Sequence, residues 1–85
     1  MKEVPPVVTL YGRPGCHLCD DARAVVLRVA ERAPLRLVEV DIEGDDELFK
    51  RYLERIPVVT VDGAERFEYF VDEDALVSAL SSAHT

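Results

Sequence analysis

A short apolar run, Val7-Val8-Thr9-Leu10-Tyr11, is fenced by Pro5-Pro6 on one side and by Gly12, Pro14 and Gly15 on the other, which reads as a buried strand. Soon after that stop the apolar period changes to that of a helix. Ala22, Val25, Val26, Val29 and Ala33 then form one stripe, which predicts a helix over Cys16 to Arg32, stopped by Pro34. Leu35 to Ile42 returns to alternation, with Val38, Val40 and Ile42 on one face and Leu37 and Glu39 on the other. This strand–helix–strand order constrains the fold more than any other feature. Such a crossover is right-handed in about 98% of cases and sets its two strands parallel. The chain must therefore build an α/β sheet around it.

The remainder adds to that sheet. Gly44-Asp45 breaks the chain and offers a cap for a helix over Asp46 to Leu53, with Leu48, Phe49, Tyr52 and Leu53 turned inward. Val58 to Val61 is a third strand, and Asp62-Gly63 signals a tight hairpin with an antiparallel return along Glu65 to Phe70. Asp72 or Asp74 caps a last helix through Leu80, and Ser81 to Thr85 is expected to fray. Eighty-five residues, 48% hydrophobic and 32% charged, suit one domain spanning 1–85 with a single limited core.

Charge and hydropathy exclude several classes of function. Seventeen acidic against ten basic side chains give a net charge of −7, which lacks the basic footprint that nucleic acids or anionic membranes require. No apolar run reaches the roughly 18 residues of a membrane span. The N-terminal residues lack the pattern of a signal peptide, so a cytoplasmic, monomeric protein is expected.

Both cysteines fall at the junction of the first strand and first helix, in Arg13-Pro14-Gly15-Cys16-His17-Leu18-Cys19. Cys-x-x-Cys on a first helical turn puts both thiols on one face, within the roughly 4.4–6.8 Å Cα separation a disulfide tolerates. Free N–H groups and the helix dipole favour a thiolate at Cys16, and such placement lowers a thiol pKa from about 8.5 to roughly 3.5–7.5. Arg13 adds a cation, whereas Asp20 and Asp21 oppose it, so the expected depression is smaller than the helix start alone would give. On this reading Cys16 attacks a disulfide and Cys19 resolves the mixed species. Three other readings stay open. Structural zinc needs four ligands, for which only His17 and His84 are further soft candidates. An iron–sulfur cluster shared between two chains would need external thiols. Inert buried thiols are the last, against which stands the Gly/Pro-flanked loop, a surface feature.

With these motifs in place, the sequence resembles the glutaredoxin family of the thioredoxin-like fold. The strings LYGRPGCHLCDDA and RIPVVTVDG carry the resemblance; RPGCHLC and YLERIPVV are similar to a group of small bacterial glutaredoxin-like proteins. The resemblance implies a βαβαββα order, with a four-stranded mixed sheet and three helices. It implies a thiol–disulfide oxidoreductase with Cys16 as nucleophile and Cys19 as resolving thiol; the alternative reading is an iron–sulfur or protein-interaction module on the same thioredoxin fold. Pro57 would be a cis proline facing the cysteines, Ile56 would offer backbone groups to an extended substrate, and Arg13 would meet a carboxylate of glutathione. The implied partner is a protein disulfide or a small thiol; glutathione is a candidate co-substrate, and neither a bound cofactor nor a metal is needed. The chain also departs from the family. His17-Leu18 stands where Pro-Tyr is common, and His17 is either a solvent-facing helix-start residue or a proton-transfer group. Phe67 to Asp74 replaces a Gly-Gly-acid stretch, leaving Asp72 or Asp74 to receive an ammonium group. Lys50, Arg51 and Arg55 would either reach a second ligand carboxylate or form a solvated helix face.

Overall fold

A computed structural model describes residues 4–82. Its elements follow the expected order: β1 (Val7–Gly12), α1 (His17–Ala30), β2 (Arg36–Asp41), a 3-10 turn (Ile42–Gly44), α2 (Asp46–Tyr52), β3 (Val58–Val61), β4 (Ala64–Glu68) and α3 (Glu73–Ser82). The four strands form one sheet in the order β2-β1-β3-β4, with β1 parallel to β2 and antiparallel to β3, and β3 antiparallel to β4. Strand β1 therefore lies in the interior of the sheet, paired on both sides.

The alternation of β1 and β3 divides the core into two layers. Val8, Leu10, Val59 and Val61 face α1 and α3, where they pack with Ala22, Val26, Val29, Leu76, Ala79 and Leu80. On the other face Val58 packs with Ile42 and Tyr52, supported by Tyr11, Leu48, Phe49 and Ile56. Helices thus cover both faces, as the βαβ pattern demands. On the first face, Arg28 of α1 and Arg32 of the turn after it bond the two oxygens of Glu73 at 3.1 and 2.9 Å, joining the end of α1 to the start of α3.

The turns follow their residues. Asp62 and Gly63 take φ values of 48° and 87°, both positive as the tight hairpin requires. The Asp62 carboxylate also accepts the Val7 N–H at 2.9 Å, tying the hairpin back to the start of β1. Asp45 caps α2 by accepting from the Glu47 and Leu48 N–H groups.

Several boundaries differ from expectation for local reasons. Helix α1 starts at His17 because Cys16 is extended (φ −88°, ψ 111°) and serves as its cap; it ends at Ala30, after which a turn closes through Ala33 N–H to the Val29 carbonyl. Ile42 leaves β2 for the 3-10 turn, which the Asp41 carboxylate caps through the Glu43 N–H. Strand β4 runs Ala64–Glu68 and stops short of Phe70, because Tyr69 turns to φ 67°. Ser81 and Ser82 continue α3; the rest of the segment expected to fray lies outside the described residues. Asp74 lies inside the first turn of α3, leaving Asp72 at the cap position.

One contact sets how closely α1 lies on the sheet. A Cβ placed on Gly12, the last residue of β1, would stand 2.8 Å from Cys19 Sγ and 3.2 Å from its Cβ. Gly12→Ala therefore forces the strand end and the helix start apart. We expect a loss of about 1–3 kcal/mol in urea unfolding of the oxidised protein. Gly44→Ala, with nothing within 4 Å of its added methyl, should change stability by less than about 1 kcal/mol. A second expectation concerns acid. Hydrogen bonds first from Arg28 and then from Arg32 hold the Glu73 carboxyl below its ordinary 4.5. A depressed folded-state pKa contributes stability that is complete above the unfolded value and lost as pH falls through the folded one. Glu73→Gln should accordingly flatten the fall in stability below about pH 4.5 in denaturation curves taken across that range, and leave its shape above about pH 6 unchanged.

Candidate functional site

The two cysteines meet where β1 hands over to α1. The loop from Arg13 closes with the Cys16 N–H on the Arg13 carbonyl (3.4 Å), and Gly15 supplies a φ of 80° within it. That turn sets Cys16 at the cap of α1, one turn ahead of Cys19, with the Cα atoms 5.2 Å apart and the sulfurs joined in a disulfide. The Cys19 N–H points at Cys16 Sγ from 3.1 Å, so a helix-start donor that would otherwise be unsatisfied is aimed at this sulfur. The two sulfurs differ in access. Cys19 is buried against Gly12, only 2% exposed, while Cys16 is half-buried on the outer side.

The neighbouring charges are organised in pairs. Arg13 bonds Glu43 at 2.8 Å, beyond β2, with both side chains about two-fifths exposed. The predicted carboxylate-binding cation therefore rests on a carboxylate of its own chain. Asp20 accepts from Arg23 at 2.9 Å, and Arg23 also reaches Glu39 on β2 at 2.5 Å. These bonds, Glu39 first, raise the Arg23 pKa. The opposition expected between Asp20 and the thiol is thus shared with a local cation, while Asp21 stays exposed. A cavity of about 370 Å³ lies between this loop and β2, lined by Arg13, Pro14, Cys19, Asp20, Arg23 and Glu39 among others. His17 is exposed at the first position of α1. Among the described residues, no three His, Cys, Asp or Glu side chains converge as a metal cage, and His84 lies outside them.

Strand pairing brings the second motif alongside. The Ile56–Pro57 peptide is cis, and Pro57 is buried. The β1–β3 register pairs Tyr11 with Val58; continued by one residue it sets Pro57 across from Gly12, and so beside the cysteine pair. The next strand contributes too, since Tyr69 N–H donates to the Pro57 carbonyl at 2.9 Å. Asp72 is exposed just beyond, its carbonyl accepting the Leu76 N–H at the head of α3. It shares the sheet end with the cysteines but stands past the far edge strand.

Three features here were not predicted. Gly12 was read only as a strand stop, although its lack of a side chain is what admits Cys19. Strand β4 carries a bulge: Thr60 pairs with Glu65 and Val59 with Phe67, leaving Arg66 extra. The bulge sets Glu65 and Glu68, three apart, on one face, where Arg55 bonds both. Those bonds, Glu68 first, raise the Arg55 pKa, and Arg55 in turn lowers that of Glu65. Arg55 and Arg51 also lie over the Tyr52 ring, at 5.4 and 5.9 Å from its centroid. Arg55 is therefore a clamp between α2 and β4 instead of an open ligand-binding cation. Finally, Phe70 N–H bonds the Glu68 carbonyl at 2.8 Å around Tyr69 at φ 67°, a γ-turn with positive φ that bulky residues rarely adopt.

Known proteins place this arrangement. A structure of protein Ne2328 from Nitrosomonas europaea superimposes with a TM-score of 0.82 at 29% identity, covering 94% of this chain and 96% of that one. A mutant thioredoxin from Halobacterium salinarum gives 0.67 at 25% identity, over 92% of this chain and 74% of its own, so the fold is thioredoxin-like. In sequence, a glutaredoxin-like protein YDR286C homolog from Dictyostelium discoideum is 27% identical over 75 aligned residues, with 81% of this chain and 69% of that protein covered. The family model described as Glutaredoxin-like domain (DUF836) matches residues 7–81, from the first strand through nearly all of α3, and the chain belongs to that family.

Proposed function

We propose that this protein is a thiol–disulfide oxidoreductase that works through the Cys16–Cys19 pair. The observation that supports the reading best is the unequal access of the two sulfurs. Cys16 is at a helix cap, half-exposed, with the Cys19 N–H aimed at its sulfur; Cys19 is enclosed behind it against Gly12. In the reduced form that N–H and the positive end of α1 stabilise a Cys16 thiolate. This thiolate attacks one sulfur of a substrate disulfide, a new S–S bond forms, and the other substrate sulfur leaves as thiolate. Cys19, as thiolate, then attacks Cys16 Sγ. The mixed disulfide breaks, the second substrate sulfur leaves, and the Cys16–Cys19 bond closes. The substrate has gained two electrons and the protein has lost two. An external thiol, glutathione or a dithiol protein, returns them by the same exchange run in reverse.

Around this pair, Ile56 and the cis-linked Pro57 form the wall along which an extended substrate lies. Arg13 exchanges Glu43 for a substrate carboxylate; the pair is solvent-exposed, a class worth about 0–1 kcal/mol, so the exchange is easy. Asp72 offers a negative charge at the far side for an amino group. No bound cofactor takes part, and the protein acts as a monomer in the cytoplasm.

Variants at the two cysteines test this reading in opposite ways. Cys16→Ser should abolish reduction of a small disulfide such as cystine. Cys19→Ser should accumulate a covalent adduct of substrate on Cys16, visible as a mass increase that dithiothreitol removes. An unmodified Cys19→Ser protein after incubation with excess disulfide would refute the assignment of Cys16 as nucleophile.

A further inference from the structure

Beyond the sulfurs, the turn at Glu68-Tyr69-Phe70 holds the least favourable backbone on the sheet. Tyr69 adopts φ 67°, a region that costs a bulky residue dearly and persists only where surroundings over-determine it. Three bonds do so here. Tyr69 N–H donates to the Pro57 carbonyl, Phe70 N–H donates to the Glu68 carbonyl, and Tyr69 OH donates to the Glu54 carbonyl. The turn is therefore anchored on Pro57 itself and on the segment leading into it. Its outcome is the placement of Phe70, which is 73% exposed, whereas the next residue, Val71, turns back onto the core. Among the described residues, four large hydrophobic side chains are exposed, and two of them, Tyr69 and Phe70, are these neighbours.

The position makes the exposure informative. Glu68 pairs with Val58, so the turn sits at the sheet end where Gly12 and the cysteines lie. From β1 it is two strands away, about 10 Å at the usual strand spacing. An extended peptide covers that span in roughly three residues. A small thiol bound by its charged ends carries nothing apolar with which to cover a benzyl ring. A polypeptide crossing Ile56–Pro57 does.

Resting on the proposed oxidoreductase reading, the geometry points to Phe70 as a specificity-determining residue that selects protein disulfides with an apolar side chain two to four residues from the attacked cysteine. Phe70 contacts that side chain while Cys16 takes up the substrate sulfur. Tyr69 is the positioning residue: its bonds to Pro57 and Glu54 hold Phe70 out beside the path of the peptide. Acidic composition works in the same direction, since a net charge of −7 disfavours anionic small thiols such as glutathione relative to neutral or basic peptides.

The test compares kcat/KM for three disulfides in wild-type protein and in Phe70→Ala. Two are peptides with an intramolecular disulfide, identical except for Leu or Ser at the third position beyond one cysteine; the third is cystine. Wild type should prefer the Leu peptide to the Ser peptide by about tenfold, the scale of burying one such side chain. Phe70→Ala should reduce that preference below about threefold and leave cystine within about twofold. The reduction potential of the Cys16–Cys19 pair should stay unchanged, because Phe70 touches neither sulfur in this role. An equal loss on all three substrates, or a preference for Leu that survives Phe70→Ala, overturns the assignment of Phe70 and leaves the oxidoreductase reading intact. Wild-type protein that reduces none of the three overturns both. Because Phe70 is exposed, its truncation should not unfold the chain; equal urea midpoints of wild type and variant confirm that the kinetic comparison is between folded proteins.

Discussion

The arrangement of the whole sheet end depends on a missing side chain. Strand β1 is interior, with partners on both edges, and its last residue is Gly12. Because Gly12 has no Cβ, the first turn of α1 settles directly onto the strand, and Cys19 Sγ occupies the space a methyl group would take. From that contact the other positions follow in order. Cys16, one turn earlier, is left on the outer side; Pro57 falls across from Gly12 by register; and Tyr69 hangs from the Pro57 carbonyl. The site is assembled from three segments distant in sequence, and hydrogen bonding of the sheet is what brings them to one place.

Much of this could be read from the residues, for reasons that are local. The change of apolar period after Gly12 set out the βαβ unit, Asp62-Gly63 the hairpin, and Gly44-Asp45 the capped start of α2. Each is a short-range signal with one physical cause. What escaped the sequence depends on a partner far along the chain. The hairpin signal at Asp62-Gly63 suggests an unbroken return along Glu65 to Phe70, because nothing in Arg66 announces a bulge. The bulge brings Glu65 and Glu68, residues three apart that regular pleating would send to opposite faces, to the same face, where Arg55 bonds both. Tyr69 was equally opaque, since a tyrosine is among the last residues expected at positive φ. Gly12 carried a signal that was underused: a glycine at a strand end shortly ahead of a helical cysteine marks a close approach as readily as a stop.

Arginine has a common use across this acidic chain. Arg23 joins α1 to β2, Arg28 and Arg32 join α1 to α3, and Arg55 joins the end of α2 to β4. Each is a surface pair, of a kind that adds little stability and is weakened by salt. Their importance lies in direction more than in strength. They mark the seams where helices already packed by the core meet the sheet and one another. Arg13 differs from the rest in lying on the cysteine loop itself, where it bonds Glu43.

The bulge and the turn that close β4 also bear on how the molecule behaves among its own copies. An edge strand offers unpaired backbone groups on which a second chain can build, and a bare phenylalanine beside such an edge would invite that growth. Here the edge is only five residues long, is kinked at Arg66, carries charge at Glu65, Arg66 and Glu68, and is cut off by the reversal at Tyr69. A neighbouring strand therefore finds no straight ladder leading up to Phe70. The ring can stand in water without making the sheet a template for aggregation.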